Sequence, residues 1–163
     1  MGTIKYNVPN LCSILITAED GQITQLYFQG GSSTPENLKE SACNQADSNV
    51  LNILTNQLDA YFAGELKSFT VPINPKGTPF RKQVWQALQT IPYGKTISYK
   101  QLAEKINHPK AVRAVGGANH NNPISLIIPC HRVIGASGKL VGYGGGLEVK
   151  EFLLRHEGPT HVH

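Results

Sequence analysis

The sequence predicts an α+β protein, a small β-rich unit followed by a helical unit that carries a helix-turn-helix. Three observations predict it. Apolar, β-branched and aromatic residues crowd into short runs within the first 28 positions, as strands do. From residue 78 onward, apolar residues recur instead at helical spacing behind capping residues. The charge divides along the same line. Residues 1–75 hold three Lys/Arg against seven Asp/Glu, net −4, and residues 76–163 hold twelve against four, net +8. A basic half joined to an acidic one argues for an anionic partner on one face. Nucleic acid leads the candidates, with a solvated basic surface as the plain alternative.

At 163 residues, 40% of them hydrophobic, the chain suits one domain or two small ones. The division falls between residues 1–74 and 75–163, with Asn74-Pro75-Lys76-Gly77 as the linker. No apolar run approaches membrane-spanning length, and the N-terminus lacks a basic-then-apolar leader. The cysteines at 12, 43 and 130 form no CxxC pair and cannot all pair within the chain. That favours a reduced compartment, the cytoplasm or, in a eukaryote, the nucleus.

Residues 3–6, 12–18 and 23–28 read as strands, with Glu19-Asp20-Gly21-Gln22 as a hairpin turn between the last two. Residues 29–47 are polar and turn-rich, a loop with a short helix near 36–41. Asp47 or Ser48 caps a helix to about residue 62, with Val50, Leu51, Leu54, Leu58, Tyr61 and Phe62 as its stripe and Gly64 at its stop. Residues 69–73 alternate as an edge strand, where Pro72 is tolerated. Nothing in residues 1–73 forms a catalytic constellation, so this unit reads as a scaffold.

The helical unit begins at Thr78-Pro79, a cap followed by proline at the first helical position. Phe80, Val84, Ala87, Leu88 and Ile91 mark its buried face, Trp85 reads as core, and Ile91-Pro92-Tyr93-Gly94 turns the chain. Ser98-Tyr99-Lys100-Gln101 fits a capping box for a short helix with Leu102, Ala103 and Ile106 inside. Beyond Asn107-His108, Pro109 starts a second short helix that reaches Ala118. Two short helices joined by a tight turn in a basic region read as a helix-turn-helix. Gly116 and Gly117 cost the second helix roughly 1 kcal/mol each relative to alanine. The small side chains there permit close approach of a groove wall or of another helix. A last helix covers 147–156, with Val149, Phe152, Leu153 and Leu154 inward, and residues 159–163, including His161 and His163, form a tail without a role.

The chemistry concentrates in Ile127-Ile128-Pro129-Cys130-His131-Arg132-Val133. Cysteine is a strong nucleophile only as thiolate, which neighbouring positive charge favours. Pro129 fixes its own φ and restricts the residue before it, giving the thiol a set direction. A Cys-His pair alone also fits a small buried cysteine beside a surface histidine.

The wider string changes that balance. It runs from Arg113-Ala114-Val115-Gly116-Gly117-Ala118 through Asn122-Pro123, Pro129-Cys130-His131-Arg132-Val133 and Gly145-Gly146-Leu147 to His156-Glu157-Gly158. Over the last half of the chain it resembles the O6-alkylguanine-DNA alkyltransferases, one-shot DNA repair proteins. The resemblance implies a ribonuclease H-like first domain and a winged-helix-like second one. It implies that Cys130 takes the alkyl group as a stable thioether, once per molecule and with no cofactor.

By the same resemblance His131 draws the thiol proton through water, and Glu157 orients and charge-stabilises that histidine. Asn122 braces the active-site turn, and Tyr99 helps rotate the nucleotide and donates to the departing base. Arg113 replaces the flipped base in the stack, with Ser98, Ala114 and Gly117 on the same DNA-binding surface. Val133, Tyr143, Gly144 and Gly145 line the base pocket, where carbonyls of Cys130 and Val133 accept from the guanine amine. Ser125 stands at a pocket-rim position that is proline in other members, and Gly144 at one that is serine in some. The implied partner is double-stranded DNA containing O6-alkylguanine, met through the minor groove by a monomer with no membrane contact. O4-alkylthymine is a further candidate substrate. Some relatives bind structural zinc in the first domain, but the chain shows no matching ligand set, and Cys43 has no His or Cys nearby at ligand spacing.

Two other classes compete. A non-enzymatic lesion sensor on the same fold would lack the active cysteine. A helix-turn-helix regulator would not need Pro129-Cys130-His131-Arg132-Val133, and a Cys-His hydrolase brings its histidine from a distant stretch.

Overall fold

The computed structural model describes residues 1–31, 34–135 and 146–158. β1 (Gly2–Asn7), β2 (Ser13–Glu19) and β3 (Gln22–Phe28) form an antiparallel meander in sequence order. Asp20 (φ 54°) and Gly21 (φ 73°) both adopt left-handed backbone at the β2–β3 turn. Two successive positive φ values give the turn the twist that a two-residue hairpin needs. Helix α1 (Gln45–Phe62) packs across the sheet and buries Val50, Leu51, Leu54, Leu58 and Tyr61.

Three sequence expectations in this unit change. The short helix near 36–41 is absent, and a turn from Pro35 to Leu38 stands there instead. The cap of α1 is Asn44, whose side chain accepts from the Asp47 amide. Asp47 is engaged elsewhere, because its carboxylate accepts from the Gly21 amide at 2.8 Å and so ties α1 to the hairpin turn. Residues 69–73 reduce to a single parallel bridge, Ile23 with Ile73. Pro72 has no amide to extend the ladder, so only its carbonyl and the Asn74 amide bond to Ile23.

In the helical unit α2 (Pro79–Leu88) starts on Thr78, which accepts from the Arg81 amide, and buries Val84, Trp85 and Leu88, with Phe80 and Ala87 only partly covered. α3 (Tyr99–Lys105) has both bonds of its capping box, from Ser98 and Gln101. α4 (Val112–His120) begins three residues later than expected. Pro109 lies in a turn behind Asn107 at φ 62°, closed by the Ala111 amide on the His108 carbonyl. β4 (Ile97–Ser98) and β5 (Val133–Ile134) pair in parallel, and α5 (Leu147–Glu157) closes the described chain.

The two units share one core, which runs from Ile16 and Leu26 through Leu58, Val84, Trp85 and Val115 to Leu153. The open edge of β3 is where they meet. Leu26 donates its amide to the Pro123 carbonyl (2.8 Å) and accepts from the Ser125 amide (3.0 Å). An edge strand of the first unit is thereby covered by the stretch that leads to Cys130. No helix among the described residues is long and apolar enough to cross a membrane.

Candidate active site

Cys130 opens one turn of 3-10 helix, Cys130–Arg132, at the end of a tightly tied loop. Asn122, 1% exposed, ties that loop from inside. Its Nδ2 donates to the Ile128 carbonyl (2.8 Å), and its Oδ1 accepts from the Ile124 amide (3.0 Å). Leu126 is held at φ 73°, a conformation costing roughly 1–3 kcal/mol for such a residue. The Asn122 bonds and the β3 pairing on either side over-determine the loop enough to keep it there.

Behind Cys130 lies a closed charge network. Glu157, from the end of α5, accepts from Arg132 through Nε on Oε1 (2.8 Å) and Nη2 on Oε2 (2.9 Å). Its Oε2 also accepts from His131 Nε2 (2.8 Å) and from the Tyr61 hydroxyl (2.6 Å). Burial pushes the Glu157 pKa up, but hydrogen bonds from His131 and Arg132 together with the Arg132 charge overcome it and hold the carboxyl well below the usual range. Burial is also the main influence on His131 and lowers its pKa; Arg132 and Lys150 add to this, and Glu157 opposes it. The ring is therefore neutral near pH 7. A neutral ring contributes its N–H to Glu157, so the charge that keeps the carboxylate ionised comes from Arg132.

These contacts decide the tautomer. An ionised carboxylate only accepts, so His131 Nε2 carries the proton and Nδ1 is left as a bare lone pair. Nδ1 is buried and has no hydrogen-bond partner among the described residues. A base with its far side anchored and its near side open is what proton withdrawal from an adjacent thiol requires.

On the other side of Cys130 stand Tyr99, the first residue of α3, and Lys150. Lys150 is fully buried, with Nζ 5.9 Å from the centre of the Tyr99 ring. Burial lowers the Lys150 pKa to about 8, against an opposing pull from the charge that Cys130 can carry. Tyr99 is raised, mainly by burial and then by Cys130, while a hydrogen bond from Asn119 works the other way. Its hydroxyl thus keeps its proton at neutral pH. The Cys130 carbonyl already accepts from Val133 N and from Asn119 Nδ2 (3.4 Å).

Each candidate among the described residues has a place. Cys130, His131, Asn122 and Glu157 are all buried, with the half-buried Tyr99 at their edge, and Val133 lies beside them, paired with Ile97. Arg113, Ala114 and Gly117 form a separate, exposed face of α4. A Cβ on Gly117 would meet nothing within 4 Å, whereas one on Gly116 would sit 3.9 Å from the Tyr99 ring. Gly117 therefore keeps a surface flat, while Gly116 borders the Tyr99 ring at a distance where a methyl group would make only ordinary van der Waals contact. Ser98 uses its hydroxyl oxygen as the cap of α3. Tyr143, Gly144 and Gly145 lie outside the described residues, as does the 159–163 tail.

Sequence reasoning missed Lys150, Asn119 and Tyr61. A signal for Lys150 existed. With Leu153, Leu154 and Glu157 it falls at i, i+3, i+4 and i+7, a charge placed on the buried stripe of its helix. Tyr61 sat in plain view in the stripe of α1, but its partner lies 96 residues away.

Two family models match the chain. The ribonuclease-like domain of 6-O-methylguanine DNA methyltransferase matches residues 5–75, and the DNA-binding domain of the same family matches 79–159. A methylated-DNA–protein-cysteine methyltransferase of Methanosarcina acetivorans is 64% identical over 102 residues, 63% of this chain. The match spans 65% of the length of that relative. The crystal structure of Mycobacterium tuberculosis OGT in complex with DNA superposes with a TM-score of 0.83 at 40% identity, covering 97% of this chain and 92% of that one.

Proposed function

Because the chain belongs to the 6-O-methylguanine DNA methyltransferase family, we propose that it repairs DNA by moving the alkyl group of O6-alkylguanine onto Cys130. The single observation that carries this reading is the cluster in which a directed thiol adjoins a histidine anchored on Glu157. The relatives act, by their names, on methylated DNA with a protein cysteine as acceptor. O4-alkylthymine is a second candidate substrate.

The alkyl carbon of a paired guanine is out of reach inside the duplex, so the nucleotide must first leave the stack. The exposed, small-residue face of α4 suits a close approach to the minor groove, with Arg113 filling the vacated place. The basic half supplies phosphate contacts that carry no sequence preference. His131 Nδ1 withdraws the Cys130 proton through one water, and Glu157 stabilises the imidazolium that forms. The thiolate sulfur then bonds the alkyl carbon, and the carbon–oxygen bond breaks with its electron pair passing to the guanine. Tyr99, protonated at neutral pH, donates to the departing base. Lys150 supplies positive charge to the thiolate.

A thioether is a poor leaving group, so each molecule acts once, without a cofactor and as a monomer. The proposed division of labour puts the reaction in residues 75–163 and the support in 1–74. Val133, Tyr143, Gly144 and Gly145 would frame the base, in a chain that works where DNA is, in cytoplasm or nucleus.

Intact mass and peptide mapping after incubation with O6-methylguanine DNA test the reading. One methyl per protein on Cys130, absent in Cys130→Ser, is the expected result. Binding without mass gain would make the protein a lesion sensor.

A further inference from the structure

Tyr61 belongs to the first unit, yet its hydroxyl ends on the carboxylate that anchors His131. It is fully buried near the end of α1 and donates to Glu157 Oε2 at 2.6 Å, the oxygen that also receives His131 Nε2–H. The helix backbone is bound to the same place, since His156 Nε2 donates to the Tyr61 carbonyl at 2.6 Å. The ring is fixed by Phe62, Phe69, Tyr93 and His156, with centroids 4.8–6.1 Å away. β3 meanwhile holds the Cys130 loop through Leu26. Two separate contacts of the first unit thus converge on the reacting groups, one on the loop of the nucleophile and one on the partner of its base.

We propose that Tyr61 is a positioning residue of the alkyl-transfer site, through which the N-terminal unit sets the strength of His131 as a base. This rests on the reading of Cys130 as nucleophile given above. Arg132 grips both oxygens of Glu157 and fixes where the carboxylate sits, so the Tyr61 hydroxyl is not needed to hold it there. What it does instead is take up part of the charge on the oxygen that faces His131. A carboxylate with one donor fewer on that oxygen attracts the His131 proton more strongly and favours the imidazolium. A protonated His131 can accept nothing from the thiol.

The groups facing this pair are Tyr61 from α1, Tyr93 from the turn after α2, Arg132 from the 3-10 turn and Lys150 from α5. Tyr61→Phe changes one of them and leaves the charges of the others intact. The ring stack survives the substitution.

The test is the pH dependence of two reactions of the full chain, followed by mass at Cys130. One is alkylation by iodoacetamide, which needs no DNA, and the other is methyl gain from O6-methylguanine DNA. In Tyr61→Phe the acid limb of the iodoacetamide profile should move up by roughly half to one pH unit, and the shift should vanish in a Glu157→Gln background. An unmoved limb in a folded Tyr61→Phe protein overturns the proposal, as does a shift of the same size without Glu157. If iodoacetamide shows the shift while the unsubstituted protein gains no methyl from DNA, Tyr61 keeps its role and the DNA repair reading fails instead.

Discussion

Two buried charges sit on one stripe of α5 and are handled in opposite ways. Glu157 is surrounded by donors, Arg132 twice, His131 and Tyr61, and remains ionised far below the ordinary carboxylate range. Lys150, about two turns earlier on the same face, is as deeply buried but is pushed down to about 8, close to losing its charge. The first arrangement fixes a geometry. The second keeps a charge near the point of exchange, beside the proposed nucleophile Cys130. Burial alone does not tell a structural charge from a working one; the chemistry of the groups around it does.

Removing the carboxylate should have the largest effect. Glu157→Ala leaves Arg132 and His131 buried without their acceptor, which should destabilise the protein by about 3–5 kcal/mol in a urea melt. Methyl transfer should fall with it. A loss below 1 kcal/mol would mean that the network rearranges freely and that Glu157 fixes nothing.

Lys150→Met should separate stability from activity. It takes a fully buried, desolvated charge out of the interior at similar volume, so stability should be unchanged or higher by about 1–4 kcal/mol. Transfer should nevertheless slow by roughly tenfold or more, the worth of a charged contact to the thiolate. An equal rate would reduce Lys150 to packing.

A third prediction uses pH. The Glu157 pKa is lower folded than unfolded, so its stabilisation is present above the unfolded value of about 4.3 and is lost as pH falls toward the folded one. His131 is also depressed, so its neutral form favours the fold above about 6.5 and protonation works against the fold below that. Acid unfolding of Glu157→Gln should therefore be shallower below about pH 4.3 than that of the unsubstituted chain. Parallel curves would show that other carboxylates dominate.

The smallest effect on stability should come from the exposed face of α4. Arg113→Ala should change stability by less than about 0.5 kcal/mol. It should slow repair of duplex DNA while leaving reaction with the free base almost unaltered. Unchanged duplex repair would remove Arg113 from the flipping step.

What the sequence disclosed follows the range of each interaction. Thr78-Pro79, the Ser98–Gln101 box and the Asp20-Gly21 turn were legible because each is satisfied within four residues. The Cys130 motif was legible because its residues are contiguous. Asn44 was missed as a cap because Asp47 looked as suitable locally, and only the distant Gly21 amide draws it away. The strand over 69–73 failed for a similar reason, since its pattern was right but Pro72 leaves one bridge where a ladder was expected. The late start of α4 turns on the left-handed Asn107, which spends Pro109 on a turn rather than a helix. Tyr61 had no signal beyond apolar spacing, because a helix stripe does not reveal that one of its members ends in a hydroxyl bond to another unit.

The chain has one tryptophan, and its indole Nε1 donates to the Ala118 carbonyl of α4 at 2.8 Å. All indole emission therefore arises at one point, wired to the backbone of the helix whose outer face is proposed to meet DNA. The molecule carries its own optical gauge: a shift in that emission on mixing with DNA would time the seating of α4, with no label attached and no chemistry at Cys130 required.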